Sequence, residues 1–174
     1  MSKNTNQVSD TIEQLAYLYD LHVCVQCGKC AAVCPMGQIF DDFSYEASPR
    51  GIIERILLDF EIPEGDHLWF CLTCDLCTDL CPAGVSFREF VEASRQLVIN
   101  VGVTEYGSFC RSCGAYLWPN HTAMYLKQIL GDSTEEFLTL CASCRQYNFG
   151  RKVKALRAGE RKISVSDGRK GENQ

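Results

Sequence analysis

At 174 residues, with 17 Lys and Arg against 22 Asp and Glu for a formal net charge of −5, the chain has room for one good domain and a small satellite. Its first residues, MSKNTNQVSDTIEQ, are polar, and its most apolar stretches, such as IIERILLDF, are short and charged, so neither a secretory signal nor a membrane span is expected. Twelve cysteines are far above ordinary usage; in a chain expected to be cytoplasmic they read as metal ligands rather than disulfides.

In chain order, Asp10 and Glu13 predict a helix start, with Ile12, Leu15, Ala16 and Tyr19 as its apolar stripe. CVQCGKCAAVCP follows at residues 24–35. Ser48 can then cap a helix with Pro49 at its first position, and Ile52, Ile53, Ile56, Leu57 and Phe60 recur at helical spacing. CLTCDLCTDLCP at residues 71–82 repeats the first motif, each cysteine 47 positions after its counterpart. Ser86 and Glu89 make a capping-box pattern, and Phe90, Val91, Ser94, Leu97 and Val98 form one face of a helix to about Asn100. Strand-like alternation is scarce before residue 100.

Both motifs read C-x-x-C-x-x-C-x-x-x-C-P. A [4Fe–4S] cube needs one thiolate on each iron, and C-x-x-C-x-x-C can wrap three corners of it. The trailing cysteine, turned away by its proline, ligates the other cluster in two-cluster ferredoxins. The expected sets are therefore Cys24, Cys27, Cys30 and Cys81 for one [4Fe–4S] cluster, and Cys71, Cys74, Cys77 and Cys34 for the other. Four-cysteine zinc sites usually come as two separated knuckles, which disfavours zinc here. The helical linker and flanks predict a mainly α fold, an α-helical di-cluster ferredoxin.

The paired motifs, the S-P-R-G-I-I helix start and W-F-C-L-T-C-D-L-C-T-D-L-C-P-A-G-V resemble the small two-cluster ferredoxin component of heterodisulfide reductase over about residues 10–100. The fold also resembles the C-terminal half of succinate dehydrogenase iron–sulfur subunits, without their added [2Fe–2S] domain. The resemblance to heterodisulfide reductase implies an electron relay between a flavin-containing iron–sulfur subunit and a catalytic subunit that reduces a disulfide or similar acceptor.

The last third departs from that pattern. Cys110 and Cys113 in FCRSCG, and Cys141 and Cys144 in LCASCR, form two knuckles, with Gly114 able to take the positive φ of a tight metal-binding turn. Four thiolates in two knuckles suit tetrahedral Zn²⁺. A rubredoxin-type iron or a [2Fe–2S] cluster is the alternative, although the second knuckle lacks the proline and glycine of rubredoxin. Residues 121–130 (HTAMYLKQIL) read as helix, and Ser133 with Glu136 starts a short turn. The expected units are residues 1–104, the ferredoxin; 105–150, the zinc-binding unit; and 151–174, a basic, partly flexible tail.

His22 and His67, close before the two motifs, read as packed or exposed rather than as donors to cluster sulfur. His121 has no place on a zinc that four cysteines already fill. Trp69, Phe70 and Trp118 read as packing first and as solvent shields second. Residues 1–150 hold 9 Lys and Arg against 19 Asp and Glu, and residues 151–174 hold 8 against 3. The basic tail reads equally as a docking strand for an acidic partner and as a solvated end. There is no phosphate loop, Rossmann fingerprint or nucleophile–base pair. An electron-transfer subunit is favoured over two alternatives, a free ferredoxin and an iron–sulfur/zinc regulator of nucleic acid; the acidic body would repel phosphate.

Overall fold

A computed structural model describes residues 11–58, 67–131 and 134–155. Residues 11–18 are helical (α1), and short helices Lys29–Val33 (α2) and Met36–Ile39 (α3) follow the first motif. Pro49–Leu57 (α4) crosses between the motifs, Leu76–Asp79 (α5) follows the third cysteine of the second motif, and Phe87–Asn100 (α6) ends this part. Then come a two-stranded antiparallel hairpin, Gly107–Phe109 (β1) and Tyr116–Pro119 (β2), and helices Asn120–Leu130 (α7), Glu135–Thr139 (α8) and Ala142–Ala155 (α9). The fold is mainly α, as expected, and no described residue before 100 lies in a strand. Among the described residues no helix is long and apolar enough to cross a membrane.

The α4 start is the one the sequence predicts. Ser48 is extended (ψ 157°), its Oγ accepts the Gly51 N–H at 3.1 Å, and Pro49 fills the first position, where no N–H is needed. The α6 start differs. The expected Ser86–Glu89 capping box does not form, because Ser86 sits at ψ 63° with no side-chain cap. Its N–H instead donates to the Tyr19 carbonyl at 3.1 Å, which ties the start of α6 to the end of α1. Asp10, Phe60 and Ser133 lie outside the described residues.

The predicted stripes become one core. Ile12 and Ala16 of α1, Ile52 and Ile53 of α4, and Phe87, Phe90 and Val91 of α6 bury against Leu21, Leu68, Trp69 and Val85. Each of the Ile, Leu, Val and Phe side chains among them contributes about 1.5–3 kcal/mol by leaving water. Leu57, placed in the α4 stripe by periodicity, is instead 37% exposed at the last position of that helix.

The hairpin and α7 lie against this core. Trp69 meets Tyr106 and Tyr116 at centroid distances of 6.1 and 5.9 Å. Phe70 stacks on His121 at 4.2 Å, and Phe40 packs edge-on against His121 and Tyr125. These contacts keep Trp69 and Phe70 at 2% and 4% exposure, immediately before Cys71.

Candidate metal centres

The repeat seen in the sequence is also a repeat of backbone shape. In the first motif Gln26 and Gly28 take φ of 51° and 78°; in the second, Thr73 and Asp75, each 47 positions later, take 53° and 66°. Left-handed backbone costs a non-glycine residue on the order of 1 kcal/mol, most for a β-branched one such as Thr. A chain adopts it in four matched places when something must be wrapped. Such turns aim successive N–H groups inward, the arrangement that suits an anionic centre. The Thr73 N–H reaches Cys71 Sγ at 3.4 Å. After each wrap the backbone enters a helix at the same register, α2 from Lys29 and α5 from Leu76, and these two helices pack together.

Two cavities lie within the wraps. The first is lined by Cys24, Cys27, Cys30, Cys81 and also Cys77, under Arg50, Ile53, Val85 and Phe87. The second is lined by Cys34, Cys71, Cys74 and Cys77, under Met36, Ala47, Pro49, Phe87 and Arg88. The trailing cysteine of each motif thus stands at the cavity of the other. Cys27 and Cys74, the middle cysteines, are exposed, while the other six are half-buried.

The donor chemistry fits [4Fe–4S] cubes. Burial pushes the Cys30, Cys34 and Cys71 thiols up. It pushes Cys77 up to about 12, with the Cys71 thiolate next in effect. Thiols so placed do not ionise on their own; a cationic iron–sulfide core, anionic overall once four thiolates bind it, is what would make those thiolates compatible with an apolar cavity.

Each cavity also has an arginine at the second position of a helix. Ser48-Pro49-Arg50 opens α4 beside the first, and Ser86-Phe87-Arg88 opens α6 beside the second. Arg50 Nη1 donates to the Gln26 carbonyl. Arg88 pairs with Asp75, in the second wrap, and with Glu92 at 3.1 Å. Neither arginine stands out from the sequence, because the offset between them is 38 rather than 47 residues.

The third site differs in kind. The sulfurs of Cys110, Cys113, Cys141 and Cys144 all lie within 4.8 Å of one another, and Cys113 Sγ is 3.6 Å from Cys141 Sγ. Zn–S bonds of about 2.3 Å place tetrahedral thiolates about 3.8 Å apart, so the spacing suits one ion. The first knuckle is the turn between β1 and β2: the Cys110 N–H donates to the Ala115 carbonyl at 2.7 Å, and Gly114 takes φ 73° as expected. The second knuckle is the N-terminus of α9. There the Cys144 N–H reaches Cys141 Sγ at 3.4 Å, and the Cys141 N–H reaches Cys110 Sγ at 3.3 Å. The Cys141 N–H holds the Cys110 thiol down at about 6, favouring the thiolate that a metal takes.

None of the three histidines lines either cavity or belongs to the four-sulfur site. His22 rests on Tyr17 with ring centroids 5.2 Å apart, His67 faces Glu46 at 3.5 Å, and His121 stacks on Phe70. Trp118 donates its indole N–H to the Leu138 carbonyl at 3.2 Å, joining β2 to α8. The sequence reading missed Arg95. It is 4% exposed, and its guanidinium donates to the carbonyls of Leu68 and Cys71. An arginine two positions from the predicted Leu97 of an apolar helix face reads as solvated, and only the packing of α6 shows it inside.

No curated protein matches the chain. Residues 20–85 match the family model described as the 4Fe-4S dicluster domain, a span that takes in all eight cysteines of the two motifs and ends before the four-cysteine site. The N-terminal part of the chain is accordingly a helical 4Fe-4S dicluster ferredoxin domain, and a separate four-cysteine metal-binding unit follows it.

Proposed function

We propose that the chain is an electron-transfer subunit of a heterodisulfide reductase-like oxidoreductase, passing single electrons between a flavin-containing iron–sulfur subunit and a catalytic subunit in the cytoplasm. The observation that carries this reading is the pair of adjoining cavities, each lined by three cysteines of one motif and the trailing cysteine of the other, with Cys77 lining both. Cys24, Cys27, Cys30 and Cys81 would hold one [4Fe–4S] cluster, and Cys71, Cys74, Cys77 and Cys34 the other. Each cluster, when bound, supplies a one-electron couple. The protein's part is to hold two such centres close together, keep water from them with Ile53, Val85, Phe87 and Met36, and leave Cys27 and Cys74 at the surface as points of exchange.

In this reading Cys110, Cys113, Cys141 and Cys144 hold a structural Zn²⁺, which does not change valence and so serves assembly. The exposed Met124, Ile129, Leu130, Phe137, Tyr147 and Phe149 in the C-terminal unit are more apolar surface than a freely diffusing carrier needs, which supports a subunit over a free ferredoxin. Anaerobic purification from the native host tests both parts. The expected product is a complex containing a flavoprotein, with about eight irons and about one zinc for each copy of this chain. A chain that purifies alone, or that carries only one cube, refutes the relay.

A further inference from the structure

We infer that Arg95 is a positioning residue that raises the reduction potential of the cluster held by Cys71, Cys74, Cys77 and Cys34, and of that cluster alone. The inference rests on the two-cluster reading above and concerns how the two centres differ.

The two halves of the domain match closely around their cavities. The wraps share their backbone twists, and each has an arginine at the second position of the helix that overlies it. Arg95 breaks the match. Carrying the Arg50–Arg88 offset down the helices places Leu57 opposite Arg95, and Leu57 is partly exposed at the end of α4 while α6 runs on. The carbonyls that Arg95 holds belong to Leu68 and Cys71, whose counterparts in the first repeat are Leu21 and Cys24. There the corresponding link is a backbone one, the Cys24 N–H to the Leu21 carbonyl at 3.2 Å.

The second wrap is thus clamped by a cation, bonded to the backbone of a ligand cysteine. Arg95 also lies over the Trp69 ring, 5.6 Å from its centroid, and beside Tyr116 of the hairpin, so the C-terminal unit helps to seal it from water. Among the described residues it forms no ion pair within 4 Å; its hydrogen bonds to carbonyls carry no countercharge, and the Glu92 carboxylate acts on it only from a distance. The half-exposed Arg88 is different, because Asp75 and Glu92 pair with it directly.

A [4Fe–4S] centre with four thiolates gains one negative charge when it takes up one electron. A fixed buried cation stabilises the more negative state, and the low local dielectric makes this larger than for a solvated charge. Deleting the charge should make that cluster harder to reduce and leave the other where it was.

The test uses the full chain, loaded anaerobically, with redox titration followed by electron paramagnetic resonance. Cys27→Ser and Cys74→Ser assign the two signals, since each alters one cluster. In Arg95→Gln the midpoint of the Cys74-sensitive cluster is expected to shift negative while the other stays. Arg95→Lys, which keeps the charge, should restore most of the shift. Arg95→Met is the second neutral variant if the glutamine form does not load. Unmoved midpoints, equal shifts of both, or a lysine variant that shifts as far as the neutral ones would overturn the inference. So would failure of all three variants to assemble, which makes Arg95 a determinant of folding only. Loading of the lysine form alone would show that the charge itself is required at this cluster. If the unaltered chain does not take about eight irons, the two-cluster reading fails instead, and iron analysis tells the two failures apart.

Discussion

Gly51 is where the fold around both cavities is least tolerant. A Cβ there would lie 2.2 Å from the Tyr45 carbonyl oxygen, 2.9 Å from Glu46 Cα and 3.0 Å from the Tyr45 carbonyl carbon. All three are backbone atoms of the turn Tyr45–Ala47, so no side chain can swing aside. Either the start of α4 or that turn must move. The same few residues line the cavities: Arg50 and Ile53 the first, Ala47 and Pro49 the second. Overpacking costs about 1–3 kcal/mol, and a clash with three backbone atoms falls in the upper part of that range, about 2–3 kcal/mol, against which alanine returns about 1 kcal/mol in helix propensity. Gly51→Ala should therefore destabilise the holoprotein by about 1–2 kcal/mol net, with loss of visible cluster absorbance on warming several degrees below the parent chain. A Gly51→Ala protein as stable as the parent, with unchanged cluster retention, would refute the reasoning.

The sequence made the two cysteine-lined cavities legible because cysteine spacing is a local code. A repeated C-x-x-C-x-x-C-x-x-x-C-P marks the cysteines that line them, and apolar periodicity marks the helices that cover them. The Ser48–Pro49 start was equally readable, since a cap is settled by adjacent residues. What was hidden depends on distant partners. Ser86 has the residue type of a cap, but its N–H is taken by Tyr19, far away in the chain. Gly51 carries no glycine-type φ, and its need arises only from how closely α4 passes the Tyr45 carbonyl. The hairpin around Cys110 was missed because its strands, Gly107–Phe109 and Tyr116–Pro119, are too short to show alternation. The stacking of His121 on Phe70 pairs residues 51 apart in sequence and leaves no local trace.

Two further expectations concern the metals. Cys34→Ser should damage the cluster wrapped by the second motif, and Cys81→Ser the one wrapped by the first; paramagnetic resonance resolved by cluster checks this, and damage confined to each residue's own motif would show uncrossed sites. Cys110→Ala with Cys113→Ala should remove the zinc and leave both clusters in place. The reason lies in how the C-terminal unit is attached. Its hold on the ferredoxin domain includes Tyr106, Tyr116, His121 and Tyr125 against Trp69, Phe70 and Phe40, ring contacts in which none of the four cysteines takes part. The four-sulfur site instead joins the hairpin turn to the start of α9, whose ties elsewhere include Arg145 over the Phe137 ring and Lys152 near Glu136. Surface contacts of that kind are worth about 1 kcal/mol or less each and cannot hold a helix in place by themselves. Without zinc, α9 should become open to protease, part of its fourteen residues of helical signal should be lost, and the native complex should loosen, while cluster absorbance and the surroundings of Trp69 stay as they were. Loss of the clusters together with the zinc would show that the two parts fold as one unit, and α9 resistant to protease after zinc loss would show that packing, not the metal, secures it.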